Sequence, residues 1–225
     1  MTATLSVIVP TLNAAGSLPG CLVALMEGLH TGLIRELIVT DGGSTDATLA
    51  IADEAGASIL QGPPTRGGQL GRGCDTARGA WLLILHADTR LAPGWAVEAA
   101  AHIATGQGPA CFRLAFDARG PAAAWVAAWA NLRSRLFGLP YGDQALLVSR
   151  RDYARAGGYP DIPLMEDVAL IRALPRVSLL SSRAITSADR YRRAGWLRRG
   201  ARNLWTLARY FGGADPARLA RAYRR

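Results

Sequence analysis

Trp81-Leu-Leu-Ile-Leu85-His-Ala-Asp88 is an apolar run that breaks abruptly into a polar loop. A short run without alternation reads as a strand covered on both faces. Three earlier stretches read the same way: Leu5-Ser-Val-Ile-Val9, stopped by Pro10; Leu37-Ile-Val39; and Ala57 to Leu60. Helical patterns lie between them. Ser17 offers an N-cap before Leu18, Leu22, Leu25, Met26 and Leu29, which recur at helical spacing. Ala47–Ala55 and Gly68–Arg78 supply two more helices. Strands alternating with helices predict an α/β fold of Rossmann type, three layers α/β/α around a mostly parallel sheet. Ligands bind such sheets beyond the carboxyl ends of the strands. The places to inspect are therefore Pro10–Asn13, Asp41–Asp46, Gly62–Gly68 and His86–Asp88.

The second half is less regular. Phe112–Phe116 and Ala145–Val148 read as strands, and Ala122–Leu136 as a helix with Trp125 and Trp129 on one face. Asp167–Leu174 reads as a short helix and Val177–Ile185 as a final strand before arginine-rich helices. No linker separates the halves, so residues 1–225 read as a single domain. Half of the 225 residues are hydrophobic, which suffices for a core. The net charge is +9, and it is uneven: residues 190–225 hold eleven arginines and one acid, Asp215, while the remainder holds 15 bases and 16 acids. The basic pI thus describes a tail, suited to anionic surfaces or to a solvated helix face. Its apolar residues are expected to pack on the body, with the arginines outside. Cys21, Cys74 and Cys111 are far apart and form no metal-binding or disulfide pattern, which fits a reducing cytoplasm. The N-terminus enters a strand directly and reads as carrying no leader. The uncharged stretch Pro121–Leu132 is shorter than a membrane span.

Four strand-end features carry chemistry. Val9-Pro-Thr-Leu-Asn13 is a strand ending in a polar loop. Asp41-Gly-Gly-Ser-Thr-Asp46 combines a carboxylate for a base or sugar with glycines, Gly42 first, that let backbone approach a ligand. Asp46 or Thr45 can instead cap the next helix. Asp88, closing His86-Ala87-Asp88, would be costly without a partner, and a cation on phosphate oxygens supplies one. Capping before Thr89 is the plainer alternative. Glu166-Asp167 opens a helix, where acids suit the dipole, but it also offers a general base.

In this order the features resemble glycosyltransferase family 2, whose fold is GT-A. Val7–Asn13 is similar to the family's opening strand, and Asp41–Asp46 to its D-G-x-S-x-D loop. Arg66-Gly-Gly-Gln69 is similar to an arginine-led segment near the nucleotide. His86-Ala-Asp88 stands in the place of D-x-D, and Glu166-Asp167 matches the E-D pair. Gly142-Asp-Gln144 and Thr186-Ser-Ala188 resemble a bacterial subgroup, the radical-SAM/selenodomain-associated transferases. The resemblance implies an inverting, metal-dependent transfer from a nucleoside-diphosphate sugar. It places Pro10, Thr11, Asn13, Asp41, Gly42, Arg66, Gln69, His86 and Ala87 around the donor and Asp88 on Mg2+ or Mn2+. Asp167 is the base, with Glu166 as fallback, and Asp143 and Gln144 lie on the acceptor side. Residues 1–110 become the donor half, 111–189 the acceptor half and 190–225 a basic helical tail. The acceptor is unidentified, with a lipid-linked one at the inner face of the cell membrane as a reading of the tail, and nucleic acid is not expected.

The sequence also departs from the family pattern. His86 replaces the first D-x-D acid, Ala169 stands where an acid often follows the E-D pair, and Arg190-Tyr-Arg-Arg193 lacks the Q-x-x-R-W element of processive synthases. Two rival readings are a sugar-nucleotide nucleotidyltransferase and a non-catalytic binder of membrane or nucleic acid through the tail. The first lacks an early glycine-rich loop with a following arginine and lysine. The second leaves the strand-end acids unexplained.

Overall fold

Leu5, Val7 and Val9 face one side of the first strand and Ser6 and Ile8 the other, and none of the five is exposed. This two-sided burial is what the unbroken apolar run requires. The computed structural model describes residues 4–223, so Arg224 and Arg225 of the basic tail lie outside the described residues. The strands are β1 (Leu5–Thr11), β2 (Ile34–Asp41), β3 (Ser58–Gln61), β4 (Trp81–Ile84), β5 (Thr89–Leu91), β6 (Ala110–Phe116), β7 (Leu146–Ser149) and β8 (Ser178–Thr186). They form one sheet in the order β3-β2-β1-β4-β7-β6-β8-β5. The first four are parallel, β7 runs against both neighbours, β6 and β8 are parallel, and β5 is antiparallel to β8.

The order forces the sheet to curl. From β4 to β5 is four inter-strand steps, about 19 Å if flat. Only Leu85–Asp88 connect them, a reach of about 17 Å at full extension. The curl brings Asp88 beside the end of β8, where Ser187 N–H donates to the Asp88 carbonyl at 3.0 Å and Thr89 Oγ1 to Thr186 Oγ1 at 3.1 Å.

The helices are α1 (Leu18–His30), α2 (Thr48–Glu54), α3 (Arg66–Thr76), α4 (Trp95–Thr105), α5 (Pro121–Phe137), α6 (Arg150–Arg155), α7 (Glu166–Ala173), α8 (Asp189–Ala194), α9 (Trp196–Phe211) and α10 (Pro216–Tyr223). One core cluster joins Leu18, Leu25 and Trp95 of α1 and α4 to Val7, Val9 and Leu83. A second joins Leu70, Tyr153 and Leu170 of α3, α6 and α7 to Ile8, Leu82 and Ile84. The three layers expected from the sequence are therefore present.

Several local expectations change. Pro10 does not stop β1, which pairs on to Thr11. Leu85 N–H bonds the Ile8 carbonyl, so residue 10 points its absent N–H to the β4 side, where the ladder has already ended. Ser17 stands at the N-cap of α1 but makes no side-chain cap bond. Asp46 precedes the α2 N-cap, Ala47, and accepts from Thr48 N–H at 3.0 Å and Ala15 N–H at 3.0 Å, a structural tie rather than the cap itself. The sequence reading assigns nothing between residues 89 and 111, where the structure has β5 and α4.

Candidate active site

The carboxyl ends of β1, β2 and β4 lie side by side, and their loops are laced together. Asp41 is sealed from solvent and accepts from Thr11 Oγ1 at 2.9 Å, Ser44 Oγ, Gly43 N–H at 2.8 Å and Ser44 N–H at 2.7 Å. Those donors fill the carboxylate's four lone-pair sites. Burial pushes its pKa up, but the bonds from Ser44, Gly43 and Thr11 outweigh it and hold the carboxyl below its ordinary range. Gly42 N–H donates to the Thr11 carbonyl at 2.9 Å. Asp41 and Gly42 thus build the loop, and both are buried in it. Asn13, at φ 50, accepts from Thr45 N–H at 2.9 Å. Gln69 is buried on α3, and its amide donates at 2.8 Å to both the Thr11 and Thr40 carbonyls. It clamps β1 to β2 while contributing to the cleft wall.

The cleft has two joined chambers. The larger, about 600 Å³, takes Pro10, Thr11, Asn13, Gln69 and Ala87 from the strand ends. The smaller, about 130 Å³, takes Gly142, Asp143, Glu166 and Asp167. Arg66, His86, Asp88, Leu164, Arg190 and Tyr223 line both. Among the described residues three non-glycine backbones have positive φ: Asn13, Ala145 and Met165. Asn13 and Met165 line the cleft, and Ala145 follows the 3-10 turn Gly142–Gln144. Each such conformation costs about 1–3 kcal/mol, and such strain gathers at functional sites.

Arg66 ties the centre together. Its Nε lies 3.2 Å from Glu166 Oε1 and its terminal nitrogen 3.4 Å from His86 Nε2. Burial first, then the Arg66 guanidinium, pushes His86 down to about 4, so the imidazole is neutral. Arginine only donates, so Nε2 is the acceptor and Nδ1 carries the proton. A Cβ on Gly142 would sit 2.6 Å from that Nε2, which is why the turn needs glycine here. Gly142 N–H donates to Asp167 Oδ2 at 2.9 Å.

Asp88 has one ion-pair contact, Arg190 at 3.9 Å, and its side chain is 30% exposed. Among the described residues no three His, Cys, Asp or Glu side chains converge as a metal cage. A single accessible carboxylate is what a protein supplies when phosphate oxygens and water complete a Mg2+ or Mn2+ shell, so the donor set fits that group.

Two acceptor-side expectations separate. Asp143 lines the small chamber, whereas Gln144 is fully buried. Gln144 accepts from Ser134 Oγ at 2.7 Å and donates to the Phe112 carbonyl at 3.1 Å, pinning α5 to β6. It has no access to a ligand. The sequence reading missed Tyr141, Tyr191, Asn203 and Tyr223, which all line the small chamber. Arg199 joins them, donating to Tyr223 Oη at 2.9 Å. Tyr191 and Tyr223 are aromatics set among the tail's arginines, which was the available signal, but nothing local says which way they turn.

A curled sheet, parallel at the nucleotide end and covered on both faces, is the GT-A fold. S. aureus TarS (residues 1–349) superposes with a TM-score of 0.62 at 17% identity, over 82% of this chain and 60% of that one. Glucosyl-3-phosphoglycerate synthase from Mycobacterium tuberculosis, in complex with Mg2+ and UDP, superposes at 0.58 and 21%, over 82% and 70%. The model of glycosyl transferase family 2 matches residues 6–120, and the chain belongs to that family. A PGL/p-HBAD biosynthesis glycosyltransferase from Mycobacterium bovis (strain BCG / Pasteur 1173P2) is 42% identical over 93 residues. That match spans 38% of this chain and 36% of the relative, and its counterpart in M. tuberculosis (strain ATCC 25618 / H37Rv) matches equally.

Proposed function

We propose that the chain is a non-processive glycosyltransferase that moves a sugar, with inversion, from a nucleoside diphosphate to an acceptor hydroxyl. One observation carries this reading: Arg66, His86, Asp88 and Asp167 face one cleft at the carboxyl ends of the parallel strands. The donor occupies the larger chamber against Pro10, Thr11, Asn13 and Ala87. Arg66 offers its planar fork to the diphosphate. Asp88 holds Mg2+ or Mn2+, which when bound offsets charge on the leaving diphosphate. Asp167, steadied by Gly142 N–H, takes the acceptor's proton. Glu166 keeps Arg66 in place. Two substrates held across so small a chamber gain rate from position alone.

Residues 1–110 then form the donor half, residues 111–189 the acceptor half, and the tail closes the cleft. The UDP and Mg2+ named with the M. tuberculosis synthase make UDP the first nucleotide to try. The likeness to the radical-SAM/selenodomain-associated subgroup is kept as part of this reading, since Gly142, Asp143, Thr186 and Ser187 all line the small chamber. A thermal-shift titration with UDP and other nucleoside diphosphates, with and without Mn2+, tests it. A ligand that binds only the folded state raises the apparent stability. The expected result is a rise in Tm that needs nucleotide and metal together, and no response to any nucleoside diphosphate rejects the proposal.

A further inference from the structure

A second cavity, about 300 Å³, lies between α5 and α9. Leu114 forms part of its lining, with Val126 and Trp129 from α5 and Trp196 and Leu204 from α9. It stays open because Ala130, Gly200 and Ala201 have no side chain long enough to fill it. At the outer end Trp125 and Leu197 are 61% and 77% exposed. At the inner end Tyr141, Asp143, Tyr191 and Asn203 line both this groove and the reaction chamber. The groove thus adjoins the chamber that holds Asp167, with these four residues between them.

The junction is polar and incompletely satisfied. The Tyr141 hydroxyl and Asp143 Oδ1 are buried with no hydrogen-bond partner. Buried polar atoms are almost always paired, so two orphans at one passage mark where a polar group from outside belongs. Gly142, between them in sequence, holds Asp167 through its N–H. The apolar groove and the Asp167 carboxylate thus lie on either side of this polar collar.

We propose that this groove binds the apolar chain of the sugar acceptor, so that the acceptor is an amphiphile whose hydroxyl reaches Asp167 through the collar. The inference rests on the transferase reading and names its substrate class. The apolar chain replaces water along the groove, and the hydroxyl bonds to the collar.

Straight-chain alkanols from hexanol to decanol are the probes, with binding read by tryptophan fluorescence and UDP binding with Mn2+ read by calorimetry. Affinity should rise about fourfold per added methylene until the groove is full, the fold-change equivalent to about 0.8 kcal/mol. Gly200→Phe should abolish that series and leave UDP binding unchanged. A Cβ at Gly200 meets nothing within 4 Å and its φ is not positive, so Gly200→Ala serves as a folding control. Should Gly200→Phe lose its fold, Leu204→Gln makes the groove wall polar instead and should flatten the series. UDP binding without chain-length dependence, or a series unaffected by either substitution, overturns the groove and spares the transferase reading. Alkanol binding without any nucleotide response overturns the transferase reading and the acceptor role with it.

Discussion

Glu166 and Asp167 adjoin in sequence and differ in everything else. Glu166 is 2% exposed, and burial first, then Asp167, drives its carboxyl up to about 7 despite Arg66, leaving Oε2 without a partner. Asp167 accepts bonds from Gly142 and Val168 N–H and faces the chamber. Asp167→Asn should therefore keep nucleotide affinity and lower turnover by at least about 10² in a coupled assay of diphosphate release. Undiminished turnover would remove Asp167 as the base. The sequence exposed the acid pair but not this division, because the ion-pair partner of Glu166, Arg66, lies a hundred residues away. Asp143 gives a pH test. Burial raises it from 3.8 to about 6, with Arg133 opposing. The folded protein then holds this proton where the unfolded chain has released it, so the contribution to stability is full below about pH 4 and is lost as pH rises through about 6. Asp143→Asn cannot ionise, so its Tm should match the parent near pH 4 and exceed it near pH 7. A gap that stays constant between those conditions contradicts the assignment.

At the scale of elements, α3 shows how tightly the site is framed. A Cβ on Gly67 would fall 1.9 Å from the Pro160 carbonyl oxygen, a backbone atom, whereas one on Gly71 would meet its nearest neighbour at 3.7 Å. Gly67→Ala should destabilise by about 1–3 kcal/mol through overpacking. Gly71→Ala should stabilise by about 0.5–1 kcal/mol, since glycine weakens a helix interior. Urea denaturation of the two variants checks both signs, and equal effects would place the 160–162 loop elsewhere. The first four strands and their helices were legible because burial on both faces leaves an unbroken apolar run. β5 was not legible, since Thr89–Leu91 carries no such run and its partner lies almost a hundred residues on. Gln144 read as functional through the likeness of Gly142-Asp-Gln144 to a family motif, and a motif match does not tell a ligand from the Ser134 hydroxyl and Phe112 carbonyl it meets.

Across the whole molecule, the tail follows the sequence expectation only in part: Arg190, Arg192, Arg193, Arg198, Arg218 and Arg221 are exposed and Leu219 and Ala220 are buried. Arg199, Arg202 and Arg209 are instead half-buried, while Leu197, Leu204, Trp205 and Phe211 keep exposed surface. Arg199 and Arg202 lie over the Tyr223 ring at 5.4 and 5.1 Å. Trp125 and Phe137 of α5 are also exposed, and Arg192, Arg193 and Arg198 remain outside. No helix among the described residues is long and apolar enough to cross a membrane. An exposed apolar and basic surface suits peripheral contact with anionic lipid, worth about 1 kcal/mol per arginine near the surface. The protein should co-sediment with anionic vesicles at physiological salt more than with neutral ones, and Trp205→Ser should weaken this without changing UDP binding. Equal recovery in both supernatants would end the membrane proposal.

Ala220 and Tyr223 line the larger chamber together with Pro10 and Asn13, so residues from opposite ends of the described chain enclose one cavity. Synthesis is vectorial, with N-terminal parts emerging first. The ribosome therefore delivers every strand, through Thr186, before it delivers the last piece of the donor chamber. A variant cut before Ala220 would lose that part of the chamber and keep every described strand. Such a cut separates loss of the donor chamber from loss of the sheet.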